Sequence, residues 1–434
     1  MRFYNREEEL NILKKNRAMS EKGSVFTVIT GRRRIGKTAL IEESEKEGKM
    51  LYVFVQRVNE AVLCQHFVNN AKRDLGIELT DSGKFHDIFR QLMAYGENNN
   101  YTLVIDEFQE LEKINKSIMS SIQELWDRYK RRTKVNMIVC GSVHSMMVKI
   151  FQNNKEPLFG RATSSFNVGP FGPSIVKTIL KEHNPDYEPD DLLFLYAVTG
   201  GVPKYIELLM DEGATTFDKM LDRICSMDSL FLTEGKNLLI SEFGTDYMTY
   251  FSILHLIANG MNTQGEINNA IGKDCGAYLE TLENKYGIIR KSRPVFSKEN
   301  SRGIRWRISD NYLRFYFRFI NSNISSVELK RYGFLKGEIR SGYKDYSGKV
   351  LEDYFIQKIA EEENFTDIGS YWDRKGENEI DIITIDDRNK KVTFTEVKRN
   401  PKKGNISDLK RKAATVSGAD GYDQEYRILS LSDM

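Results

Sequence analysis

The chain has 434 residues, 40% of them hydrophobic, and its 64 Lys and Arg against 62 Asp and Glu leave a net charge of +2. That length exceeds one compact core and predicts two to four domains, while near-neutrality means that any nucleic-acid surface must come from a local patch. Cys64, Cys140, Cys225 and Cys275 are scattered without a C-x-x-C pair, and there is neither an apolar leader nor an apolar run of bilayer length; a disulfide framework, a zinc site and a membrane partner are therefore not expected, and the cytoplasm is.

Residues 5–18 carry Leu10, Ile12 and Leu13 among charges, as a short amphipathic helix would. Residues 24–30 are a β-branched run that reads as a buried parallel strand. Gly31, Arg32, Arg33, Arg34, Ile35, Gly36, Lys37 and Thr38 follow, spelling G-x-x-x-x-G-K-[ST], with Ala39 continuing into a helix start. The two glycines let the backbone curl so that N–H groups point at a polyphosphate, and the helix N-terminus adds donors and partial positive charge. Lys37 would reach the β- and γ-phosphates of ATP, and Thr38 would offer its hydroxyl to Mg²⁺.

A second strand over 49–55 and helices near 59–76 and 84–96 come next. Residues 101–107 form an apolar strand ending in Asp106 and Glu107. Beside a phosphate loop, that pair supplies a metal-holding carboxylate, Asp106, and a base that polarises the attacking water, Glu107. Residues 135–140 run into Gly141 and Ser142, where Ser142 either senses the γ-phosphate or closes a turn. Arg161 precedes a fifth strand over 164–168. It either adds positive charge to the transferring phosphoryl group, in cis or from a neighbouring subunit, or forms a surface ion pair.

Asn5, Arg6 and Glu7, the Gly31–Thr38 loop, the Asp106–Glu107 strand end, Gly141–Ser142 and Pro157 to Arg161, in that order, resemble the archaeal-type ATPases of the STAND branch of AAA+-related P-loop NTPases. The resemblance covers the first half of the chain and implies that Arg6 lies near the adenine. Asn5 stands where that family commonly has Gly, a substitution that a left-handed backbone tolerates in Asn.

Residues 172–240 read as helices, interrupted by a Gly200–Gly201 turn and by Pro203 at a helix start. Gly201 and Pro203 resemble the Gly-x-Pro element by which such ATPases bring a helical lid to the nucleotide; an ordinary interhelical turn is the alternative. Helices over 250–258, 264–271 and 275–285, with strands over 287–290 and 304–308, predict a winged helix. Arg290, Lys291, Arg293, Lys298, Arg302, Arg305 and Arg307 lie on its hairpin opposed only by Glu299, which fits a DNA-phosphate surface or a packing adaptor. The alternation of aromatics and arginines over 311–319 fits base stacking or a half-buried anchoring helix.

A polar connection over 321–346 leads to an amphipathic helix over 346–362 carrying Glu352. After a strand near 365–371 and the segment Trp372 to Gly376, strands over 379–385 and 392–398 follow. Alternation places Glu396 and Lys398 on one face, and pairing of the strands would set Asp381 beside Glu396. Two carboxylates could then share Mg²⁺ or Mn²⁺ while Lys398 orients a water for attack on phosphate. The set resembles the PD-(D/E)XK nuclease fold, and more narrowly the C-terminal domain of unassigned function fused to archaeal-type ATPases; Ile380 stands in place of the motif's proline.

The expected architecture is α/β: a P-loop NTPase parallel sheet over 1–171, a helical lid over 172–240, a winged helix over 241–325 and a small α/β nuclease-like domain over 326–434. The leading function is an ATP-hydrolysing switch that positions a domain acting on nucleic acid. The alternatives are a DNA-binding regulatory ATPase whose last domain only grips, and a signalling scaffold that oligomerises on ATP.

Overall fold

The computed structural model describes residues 2–243, 247–297, 303–373 and 376–434. It divides into two compact units, Tyr4–Gly169 and Pro170–Met434, the second including the residues through Phe3. Neither expected boundary near 240 or 325 separates compact units; both fall inside the second.

In the first unit, β1 (Val25–Thr30), β2 (Met50–Phe54), β3 (Tyr101–Asp106), β4 (Val135–Gly141) and β5 (Ser164–Asn167) form one parallel sheet in the order β2-β3-β4-β1-β5. Helices α1 (Glu7–Ser20), α2 (Lys37–Ser44), α3 (Glu60–Leu75), α4 (Phe85–Tyr95), α5 (Glu110–Ile114), α6 (Ser117–Tyr129) and α7 (His144–Gln152) connect and cover it. The strands read as near-continuous apolar runs because both faces are covered, and every residue of β3 and β4 is buried. Alternation along β1 divides the two layers. Phe26 and Val28 enter the cluster built with Phe67, Phe89 and Trp126, while Thr27 accepts a hydrogen bond from Asn16 of α1 on the other side. Burying a residue such as Phe26 or Val28 contributes roughly 1.5–3 kcal/mol. The register sets Thr30 beside Gly141 and Phe54 beside Asp106, so the carboxyl ends of β1, β2, β3 and β4 share one edge.

The second unit opens with α8 (Pro173–His183), α9 (Pro189–Thr199), α10 (Pro203–Asp211), α11 (Phe217–Ile224) and α12 (Glu234–Phe243). The expected three helices and hairpin follow: α13 (Tyr247–Ala258), α14 (Gln264–Ile271), α15 (Gly276–Glu280), and antiparallel β6 (Ile289–Ser292) and β7 (Arg305–Ile308). Thr263 and Glu266 close a reciprocal capping box at the start of α14. Lys298, Glu299 and Arg302 of the expected basic hairpin, and Arg374 and Lys375 further on, lie outside the described residues.

After α16 (Asn311–Phe315) and α17 (Ile324–Glu328), one helix of 31 residues, α18 (Tyr332–Glu362), replaces the polar connection expected before residue 346. Leu335, Ile339 and Tyr343, four residues apart, are all buried, and the Tyr343 ring packs on Phe194 and Phe217. That stripe supports a helix through Gly333, Gly337 and Gly342 despite their poor propensity. At Gly342 an added Cβ would stand 2.8 Å from the Phe319 ring, so close packing explains the glycine there.

The chain ends in β8 (Asp367–Trp372), β9 (Glu379–Asp386), β10 (Lys391–Lys398), α19 (Ile406–Ala413) and β11 (Asp423–Ser430), with sheet order β11-β10-β9-β8. β9 is antiparallel to both its neighbours, whereas β10 and β11 are parallel and joined through α19. Leu409 and Ala413 of α19 pack on Ile383, Ile385, Val392 and Phe394.

Candidate functional site

The loop between β1 and α2 is shaped by its glycines. Gly31 has φ +152°, and a Cβ there would fall 2.7 Å from the Val168 carbonyl oxygen; Gly36 has φ +90° and faces open space. Ile35 anchors the loop in the core, Arg33 is exposed, and Arg34 adopts a left-handed φ of 69°. Lys37 is buried and its Nζ donates to the Gly31 and Arg32 carbonyls at 2.8 and 3.1 Å. Burial pushes its pKa down, with Cys140, Glu107 and Asp106 pulling it back.

Thr38 Oγ1 donates to Asp106 Oδ2 at 3.1 Å, joining the first helical turn to the end of β3. Three further groups also fix Asp106. The Tyr52 hydroxyl donates to Oδ2 at 2.6 Å, the Cys140 thiol to Oδ1 at 2.9 Å, and the Glu107 N–H to Oδ1 at 2.8 Å. Burial and Asp106 together raise the Tyr52 and Cys140 pKa values, so both remain donors. Glu107 has φ 53°, an uncommon conformation for a side-chain-bearing residue at a strand end. Ser142 Oγ lies 2.9 and 2.8 Å from its two carboxylate oxygens, and Gln109 Nε2 donates to one of them. Ser142 is thus in the site, on Glu107. At the N-terminus, Asn5 has the left-handed φ of 54° that its place predicts, and Arg6 follows with φ 83°. Arg6 is buried, donating to the Gly169 carbonyl at 2.6 Å and to Glu9 at 3.1 Å.

A second constellation lies at the junction of α18, β9 and β10. Lys398 Nζ stands 3.1 Å from Glu396 Oε1 and 3.7 Å from Asp381 Oδ2. The Val397 N–H also donates to Asp381 Oδ2 at 2.8 Å. Glu352 reaches in from α18 with its Oε2 3.0 Å from Lys349 Nζ, which also stands 3.3 Å from Glu379. Lys412 of α19 lies 3.4 Å from Glu396. Among the described residues no three His, Cys, Asp or Glu side chains form a group that could hold a metal ion.

Residues 3–209 match the family described as an ATPase domain predominantly from Archaea, and residues 316–409 match one described as archaeal and bacterial proteins of unknown function. An uncharacterized protein of Methanocaldococcus jannaschii is 31% identical over 443 residues, covering 98% of this chain and 95% of its own. The chain belongs to the archaeal P-loop ATPases. Its fold is similar to that of a Walker-type ATPase of Pyrococcus abyssi (TM-score 0.55, 19% identity, 73% of this chain and 96% of that one). The ORC2 protein of Aeropyrum pernix aligns at a TM-score of 0.49 and 16% identity over 76% of this chain and 95% of its own.

In this ATPase, Arg161 does not approach the phosphate loop. Its Nε and a terminal nitrogen lie 3.1 and 2.9 Å from Asp127 Oδ2 near the end of α6, and β5 pairs from Ser164 beside Thr27. Arg161 therefore lies toward the amino ends of the strands, opposite the nucleotide edge, and the cis assignment is corrected to an ion pair. Gly201 has φ +74°, and an added Cβ would lie 2.1 Å from the Phe171 carbonyl oxygen; Pro203 starts α10. Close backbone packing is the reason for glycine at that turn.

The basic hairpin is less free than its sequence suggests. Arg290 and Arg307 lie 3.4 and 3.7 Å from Asp353, Arg305 2.9 Å from Glu379, and Lys291 2.8 Å from Glu283. The aromatic–arginine segment over 311–319 is an internal anchor rather than a base-stacking surface: Tyr312, Phe315, Tyr316, Phe317 and Phe319 are buried, and Arg314 donates to Asp353 at 2.7 Å.

Sequence reasoning missed Tyr52, Gln109, Lys349, Glu379 and Lys412. Tyr52 alternates with the inward Leu51 and Val53 in the middle of β2, beside the acidic strand β3, a position from which it could have been found; the lysines carry no comparable signal. Burial pushes the Glu352 carboxyl up to about 7, Lys349 opposing and Asp381 reinforcing. Its folded-state pKa exceeds the ordinary value, so the folded protein binds more protons than the unfolded chain between pH about 4.5 and 7, and the Glu352 contribution to stability falls as pH rises through that window. Thermal midpoints of the second unit measured across it should decline in the wild type and flatten in Glu352→Gln. Parallel profiles would show that Glu352 titrates normally.

Proposed function

We propose that this ATPase is a nucleotide-driven switch whose C-terminal fold binds and cuts nucleic acid. Lys37 and the loop amides hold the triphosphate, Arg6 lies toward the adenine, and Thr38 and Asp106 hold Mg²⁺. The cradle fits that group: Gly36 faces open space, and Lys37 keeps its ammonium on two loop carbonyls. The metal would neutralise charge on the β- and γ-phosphates. Glu107, on its release from Ser142, takes the proton of the attacking water. Gly201 and Pro203 relay nucleotide state to the helical segment.

The observation that carries the nuclease reading is the meeting of Asp381, Glu396 and Lys398 at one end of the central β9–β10 pair, with Glu352 supplied by the preceding helix. The order helix, three antiparallel strands, helix, parallel strand supports it. Asp381 and Glu396 would hold Mg²⁺ or Mn²⁺, and Lys398 would orient the attacking water.

The test is cleavage of mixed single- and double-stranded DNA and RNA with Mg²⁺ or Mn²⁺, with and without ATP. The wild type should cut, and Asp381→Ala and Lys398→Ala should each lose about a hundredfold or more. No cleavage in any nucleotide state, with Asp381→Ala behaving as wild type, would sink the proposal. A second reading, a regulatory ATPase whose last domain only grips nucleic acid, is favoured by one observation: Lys349, Lys398 and Lys412 already neutralise the carboxylates a cation would need. Under that reading binding survives while cleavage is never seen.

A further inference from the structure

A cavity of about 290 Å³ in the second unit belongs to neither centre. Arg305, Arg307, Arg314, Arg318 and Lys349 line it, and Asp345 is the single acidic residue among its described lining residues. Two of these cations retain unused capacity. Arg318 bonds the neutral Asn259 side chain at 2.6 Å. Arg314 donates one terminal nitrogen to Asp353 and the other to Asn311, but its Nε is buried without a hydrogen-bond partner among the described residues. Trp306 and Tyr346 add aromatic surface to the same lining.

Guanidinium forks recognise phosphate oxygens in pairs, and aromatic rings accept the face of a base. A volume at the small end of ligand sites admits one nucleotide unit and excludes a duplex. The cations also continue into the carboxylate centre. Arg305 and Lys349 both reach Glu379 Oε1, at 2.9 and 3.3 Å, and Lys349 goes on to Glu352 at 3.0 Å.

We propose that this cavity holds the phosphorylated terminal nucleotide of a single nucleic-acid strand beside the Glu352–Asp381 carboxylates. The proposal rests on the reading of that centre as directed at nucleic acid. It does not require that the centre cut. A free nucleoside monophosphate shares the same chemistry, so the test must separate the two sources.

Fluorescence anisotropy on the full chain, in chelator to prevent cleavage, would compare short single strands bearing a phosphate at one end, the other end, or neither. One phosphorylated end should bind about tenfold tighter than the hydroxyl form. Arg318→Gln, whose amide can still reach Asn259, should erase that preference, and Arg318→Lys should restore part of it at an unchanged thermal midpoint. Competition by a free nucleoside monophosphate, lost in Arg318→Gln, without any end preference would retain the phosphate site but overturn the strand as its source. Equal affinity for all ends together with no such competition would overturn the site itself. Because this readout is binding, a wild type that shows end preference yet never cuts fails the nuclease reading alone.

Discussion

Lys37→Ala should leave the fold intact and remove ATP hydrolysis. The Lys37 ammonium makes its hydrogen bonds to two carbonyls of its own loop, so no distant element depends on it. In the nucleotide complex it would give the phosphates two charge-assisted hydrogen bonds of about 1.5–3 kcal/mol each, roughly 10²- to 10⁴-fold in kcat/KM. Phosphate release and nucleotide affinity, measured together, separate this role from that of Glu107. Glu107→Gln should keep ATP affinity and lose turnover, because the carboxylate acts on water rather than on the bound phosphates. Wild-type hydrolysis by Lys37→Ala would remove the loop from the mechanism.

Asp353→Ala should destabilise the second unit by about 3–5 kcal/mol, since it breaks a buried charge cluster from one side. The Asp353 carboxylate is buried with Arg314 at 2.7 Å and with Arg290 and Arg307 at 3.4 and 3.7 Å. Burial alone would raise its pKa; the three guanidinium groups reverse that and hold it below the usual carboxylate range. The stability it contributes is therefore present above the unfolded-state pKa and lost as pH falls through the depressed folded value. Denaturant titration of wild type and variant at neutral pH gives the magnitude, and repetition at acid pH should narrow the gap. A cost under about 1 kcal/mol at neutral pH would mean that water replaces the carboxylate, as at exposed pairs. ATP binding by the Tyr4–Gly169 unit should survive the substitution, because the loop residues that make the cradle all lie in that unit.

Much of the nucleotide site was legible because its determinants are local. Glycine at 31 and 36 marks unusual backbone, the apolar runs at 24–30 and 101–107 mark covered strands, and the acidic pair closes the second of them. The α/β class follows from those runs alternating with helices. At the far end of the chain, period-two alternation was enough to put Glu396 and Lys398 on one face, where they lie 3.1 Å apart.

Side-chain partners were not legible in the same way. A row of cations on a hairpin looks the same in sequence whether it faces solvent or a carboxylate, and for Arg161 the choice between a phosphoryl group and an ion pair fell to Asp127, a partner remote in sequence. The start of α18 was missed because three glycines weaken its propensity, and burial of Leu335, Ile339 and Tyr343 outweighs that only in the folded chain.

The sequence by itself determined where a phosphate loop begins, which strand carries the acidic pair and which residues could meet at the C-terminal sheet, because spacing along the backbone settles local geometry. Only the tertiary structure decided that Tyr52 and Cys140 hold Asp106, that Asp353 gathers three arginines, and that Lys349 and Lys412 attend the carboxylates. Those pairings join segments remote in sequence, and electrostatic partners are fixed by packing in space.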